Sequence, residues 1–137
     1  MEKFFVSHEV ALKLKRLGFN LDCISHFRGK DIEPTSQMGY DFNYDKNYDF
    51  NDNTDYWITR PLIHQVVDWL EDEYDIEMDV MFIRQLNKYH FIIEKKSTGL
   101  HLVNFLDFPH FEGKYECYNL GLLESLKLVE NENNRKI

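Results

Sequence analysis

Apolar positions Leu62, Ile63, Val66, Val67, Leu70 and Tyr74 recur at helical spacing, with Trp69 on the border of the stripe. Asp68, Glu71, Asp72 and Asp75 fall at i, i+3, i+4 and i+7 on the opposite side. The pattern predicts an amphipathic helix over Arg60–Asp75, with Pro61 in the first turn where its missing N–H is no loss. Its apolar side needs a sheet to lie on. A first helix is expected over Ser7–Leu17: Ser7 suits the N-cap, Glu9 the positive end of the dipole, and Gly18 the stop. The last helix is expected over Lys114–Val129, with Tyr115, Tyr118, Leu122, Leu126 and Val129 along one side, and residues 131–137 fraying. Gly121 costs that helix about 1 kcal/mol relative to alanine. Close approach to another element would justify it.

The remaining apolar runs read as strands. Asp22–Phe27 is a short one, followed by a turn at residues 28–31, another extended piece and a break at Pro34. Ile76–Ile83 alternates imperfectly. Tyr89–Lys95 and Leu100–Leu106 flank Ser97-Thr98-Gly99, which suits a three-residue loop closed by Lys96 and Leu100 with Gly99 left-handed. That register sets Phe91 opposite Phe105 and Ile93 opposite Val103 on the helix-facing side, and puts His101 against Lys95 rather than Glu94. Ile92, Leu102 and Leu106 fall among His90, Glu94 and Asn104 on the partly wet face. Helices and antiparallel strands segregated in this way predict an α+β, two-layer domain: an antiparallel sheet with about three helices packed mainly on one face.

A chain of 137 residues fits a single domain over 1–137, and its 11 Phe, 8 Tyr and 2 Trp can fill a core. The N-terminus has only Phe4-Phe5-Val6 before charge returns, so no signal peptide is expected. No run approaches the ~20 apolar residues that span a bilayer. Cys23 and Cys117 are dispersed, and two reduced thiols in a cytoplasmic protein are expected, with a single disulfide as the alternative.

Charge changes the picture more. The net charge is −8, yet residues 31–80 hold 14 acidic and two basic residues, a local −12. Such density repels phosphate backbones and attracts basic protein surfaces. Within it, residues 40–51 read YDFN, YDKN, YDFN, part of a polar, acidic and aromatic loop expected at about 36–56. Repeat slippage in the coding DNA explains the tetrapeptides; an aromatic–acidic docking surface is the other reading. The candidate partner-binding residues are Tyr40, Asp41, Tyr44, Asp45, Tyr48 and Asp49 of the repeat, with Asp68, Glu71 and Asp72 of the middle helix.

Catalytic patterns fare worse. The alternation from Asp45 resembles a calcium loop but offers Phe50 and Tyr56 where glycine and a bidentate glutamate belong. The helix carboxylates could hold Mg²⁺, although a soluble helix places charges outward for solvation alone. The six histidines form no HxxxH or HxH, and consecutive Ser7-His8-Glu9 would radiate apart rather than form a triad. GxSxG, GxGxxG and Walker patterns are absent. No cofactor, metal site or enzymatic activity is expected.

VSHEVALKLKRLGFN with Cys23, RPLIHQVVDWLEDEYDI, and KYECYNLGLLESLKLV together resemble small uncharacterised accessory proteins encoded by phages and mobile elements of gut bacteria. The resemblance covers most of the chain and departs from it at residues 36–55. It implies a small phage accessory protein in the cytoplasm of an infected bacterium, and carries over no catalytic residue. The expected function is protein–protein interaction with a host or phage protein bearing a basic surface. Inhibition of a host nucleic-acid-binding or defence protein is its sharper form, with no direct nucleic-acid or membrane binding. The alternatives are a metal-dependent hydrolase or nuclease using helix 61–75, and a virion-associated structural protein.

Overall fold

The computed structural model describes residues 2–28, 34–36, 57–104 and 107–135. The fold is α+β, and among the described residues the antiparallel strands fall in two small sheets rather than one. The chain divides into two compact units, Met1–Leu62 and Ile63–Ile137.

In the first unit, α1 (His8–Arg16) starts at Ser7, whose hydroxyl accepts from the Val10 N–H at 3.3 Å. Gly18 ends it with φ +85, and the Phe19 and Gly18 amides return to the Leu14 and Lys15 carbonyls, the paired bonds of a Schellman cap. Val10, Ala11 and Leu14 are buried. Three strands follow: β1 (Ser25–Arg28), β2 (Pro34–Ser36) and β3 (Trp57–Thr59), in the order β2-β1-β3. Pro34 opens edge strand β2 instead of breaking regular structure, since an edge tolerates a residue without an N–H. β3 was not expected; three residues are too few to show alternation.

The two ends of this unit are tied together. Val6 N–H donates to the Pro61 carbonyl at 3.0 Å, Phe5 bridges Leu62, and Arg60 N–H donates to the Ser25 carbonyl at 3.0 Å. The Arg60 side chain is 4% exposed, with its guanidinium carbon 4.4 Å from the Phe5 ring centroid and 5.5 Å from that of Phe27. Aromatic faces of this kind stabilise a cation that has left water. Residues 60–62 are therefore extended, and Pro61 is not in a helical turn as its sequence context suggested.

In the second unit, α2 (Ile63–Tyr74) ends at Asp75 with φ 57. It leads into β4 (Ile76–Ile83), a turn at residues 84–87, and β5 (Lys88–Lys95), with pairs from Ile76–Lys95 to Ile83–Lys88. Ile76, Met78, Phe91 and Ile93 share one buried face of this hairpin, on which α3 (Lys114–Arg135) packs while α2 packs on β4 and α3. At Gly121 a Cβ would meet Met78 Sδ at 2.9 Å and Phe91 Cβ at 3.1 Å. The glycine permits the close approach its place in the helix called for. Trp69 is buried, its ring T-shaped against Tyr74 at 5.1 Å, so it belongs to the core and not to the border. α3 continues through Arg135, past the end of its apolar stripe at Val129.

The expected strand over Leu100–Leu106 is not a regular one. Residues 100–111 meet β5 at Glu94–His101 and Tyr89–Phe111, the described part between them being irregular. Lys95 N–H donates to the Leu100 carbonyl at 2.8 Å, closing a four-residue loop with Gly99 at φ +71. That loop is one residue longer than expected, so the register slips by one. Ile93 lies level with Leu102 rather than Val103, as the Leu102 N–H to Ile93 carbonyl bond of 2.9 Å requires. Phe105 and Leu106 lie outside the described residues.

Cys23 and Cys117 are free thiols, both buried. Burial, and then the neighbouring Glu116 charge, push the Cys117 thiol up to about 12. Among the described residues no helix is long and apolar enough to cross a membrane.

Candidate functional site, an acidic helix face

Tyr40, Asp41, Tyr44, Asp45, Tyr48 and Asp49 lie outside the described residues. The α2 carboxylates can be placed. The helix turns Ile63, Val66, Trp69 and Leu70 inward, which leaves Asp68 and Asp72 exposed one turn apart, with Glu73 exposed beside Asp72.

Glu71 and Asp75 do different work. Glu71 forms an ion pair with Lys96, the first residue of the loop after β5. This contact raises the Lys96 pKa through its hydrogen bond and charge, with smaller contributions from Glu77 and Asp72. Asp75 accepts from both the backbone N–H and the hydroxyl of Ser97, while its own carbonyl accepts from the Lys96 N–H at 2.9 Å. Two of the four carboxylates on this face therefore fasten the end of α2 to the end of the hairpin. Their partners lie more than 20 residues away in sequence, so helical periodicity had no means of finding Lys96 or Ser97.

Beside β5 stands an acid–imidazole pair that the expected register had excluded. With the register slipped by one, His101 Nε2 stands 3.7 Å from Glu94 Oε1. A depression of about 350 Å³ opens beside it, lined by His101, Leu102, Val103 and Asn104. It offers one imidazole and one carboxamide between two aliphatic side chains. Further along β5, His90 meets His110 of the irregular segment with ring centroids 6.0 Å apart, and burial, then the His110 charge, lower the His90 pKa.

Among the described residues no three His, Cys, Asp or Glu side chains gather where they could hold a metal ion. On α2 the reason is geometric: Glu71 leans to Lys96 and Asp75 to Ser97, so the four carboxylates do not converge. What remains chemically is a short anionic surface, Asp68 with Asp72 and Glu73, suited to electrostatic contact.

Sequence reasoning also passed over the far end of the hairpin. Met81 and Phe82 are each 47% exposed and Leu86 in the turn is 50% exposed. The available signal was the run Met81-Phe82-Ile83, which breaks strand alternation and so puts apolar side chains on both faces. Comparison of the chain with protein-family models, with curated proteins and with solved structures gave no match.

Proposed function

We propose that this protein acts by binding another protein through an acidic surface, without catalysis of its own, as a phage-type accessory protein in a bacterial cytoplasm. The observation that carries this reading is the pair Asp68 and Asp72, exposed one turn apart on a helix held firmly by its buried side. Neither has an ion-pair partner among the described residues. They sit in a sequence segment of local charge −12. The partner that such a surface recognises bears a basic patch, of which the nucleic-acid groove of a host defence protein is a concrete example. Opposite charge raises the rate of encounter and makes binding sensitive to salt.

The test is capture from host lysate on immobilised protein, followed by titration of the recovered partner at increasing salt. Asp68→Asn with Asp72→Asn should weaken binding, by about threefold per exposed charge contact. Binding that ignores both salt and these substitutions would overturn the reading.

A further inference from the structure

Among the described residues, strand β4 has a partner on one side only. The Tyr89 and Phe111 backbones exchange bonds of 2.7 and 2.8 Å, Lys95 N–H donates to Leu100, and the Ile93 carbonyl accepts from Leu102. These β5 residues therefore turn their backbone groups away from β4. Backbone direction alternates along a strand, so Lys88, His90, Ile92 and Glu94 are the residues bonded to β4, and their partners are Ile83, Met81, Asp79 and Glu77. The N–H and C=O groups of Met78, Val80 and Phe82 then point off the open edge. One detail agrees: the Val80 N–H is occupied by the neighbouring Asp79 Oδ1, at 2.8 Å. Among the described residues no strand pairs with this edge.

The edge is also polarised. On one face of the hairpin Glu77 lies directly opposite Glu94 toward the open end, with Asp79 next along β4; Lys95 at that end falls on the other face, and Lys96 is paired with Glu71. Arg84 and Lys88 occupy the closed end beside exposed Met81, Phe82 and Leu86. We propose that β4 is a self-recognition edge: two copies of this chain pair through it, antiparallel, about a two-fold axis at Val80. Antiparallel pairing lays the acidic end of each hairpin along the basic end of the other. Residues with outward backbone groups must face one another, which leaves two central registers. Centring on Asp79 sets the two Asp79 carboxylates head-on. Centring on Val80 avoids this: Met78 meets the second copy's Phe82, Asp79 meets its Met81, and Glu77 meets its Ile83, within side-chain reach of Lys88. The same step covers Met81 and Phe82. Asp79 acts as a guard, since its carboxylate must release the Val80 N–H before the ladder forms.

The test is sedimentation equilibrium of the full chain over a concentration series. The wild type should show a monomer–dimer equilibrium, weaker at high salt, and Asp79→Ala should tighten it. Val80→Pro removes the central outward N–H and should leave only monomer, with circular dichroism checking that the hairpin still folds. A second pair of variants does not depend on that proline. Arg84→Glu with Lys88→Glu should weaken the dimer about tenfold, the effect of losing several exposed charge contacts. Glu77→Lys with Glu94→Lys should do the same, and mixing the two variants should restore dimerisation. A wild type that stays monomeric up to millimolar concentration overturns the proposal. So does a folded Val80→Pro protein that still dimerises, or a charge-swapped mixture that does not recover.

Discussion

A histidine held against a second histidine favours its neutral form. His90 shows this: partial burial, and then the His110 charge, lower its pKa from 6.5. A depressed histidine contributes stability that is present above its unfolded pKa and lost as pH falls through its folded one. Stability of the second unit should therefore decline as pH drops below about 6.5, the unfolded histidine value. His90→Gln should flatten that decline in denaturant titrations at stepped pH, while a slope unchanged by the substitution would refute the assignment. Cys117 behaves on the same logic with opposite sign. Its thiol, pushed up to about 12, is uncharged at neutral pH and fully buried, so a thiol reagent should modify it only when the fold opens. Rapid labelling of Cys117 in the native protein would count against that burial.

At the level of the element, α3 approaches the hairpin closely at Gly121, where an added Cβ would meet Met78 and Phe91. Gly121→Ala regains about 1 kcal/mol of helix propensity but overpacks the Met78–Phe91 contact, which costs about 1–3 kcal/mol. The expected outcome is a net destabilisation of about 1 kcal/mol in chemical denaturation. Gly18→Ala should cost a similar amount, about 1 kcal/mol, because its φ of +85 strains any residue with a Cβ. These glycines mark what was legible in the sequence. The ends of α1 could be read because Ser7 and Gly18 act on their own backbone neighbourhood, and Gly121 announced a close contact without naming its partner. The start of α2 could not, because Val6 and Phe5 claim Pro61 and Leu62 from more than 50 residues away. The hairpin register failed for a smaller reason: one extra loop residue reverses which side chains meet, and so created the Glu94–His101 pair. At the candidate site, the exposure of Asp68 and Asp72 followed from the helix pattern. The attachment of Glu71 and Asp75 to Lys96 and Ser97 depends on tertiary packing.

On the scale of the whole molecule, charge is distributed in blocks rather than mixed. Residues 1–30 carry three acidic and six basic residues, residues 81–137 seven and eight, and the excess of negative charge falls between them. Exposed like charges repel across a Debye length of about 8–10 Å, so added salt should stabilise the monomer modestly while weakening contacts with cationic partners. A melting temperature that falls between low and moderate sodium chloride would contradict this.

The tie between the ends of the first unit has a consequence for how its gene can drift. β2 and β3 flank β1, and Ser36 pairs with Ser25 while Trp57 pairs with Arg28, so the two are anchored about 14 Å apart, two strand spacings across and three residues along. Twenty residues join them. For a freely flexible loop of that length, excising one tetrapeptide such as Tyr44–Asn47 changes the entropy of closure by only about 0.2 kcal/mol. The shortened protein should melt within about 1 °C of the parent. A larger shift would show that the repeat makes contacts of its own; an unshifted melt would leave replication errors free to lengthen or trim it in steps of twelve nucleotides while Arg60 stays seated between Phe5 and Phe27.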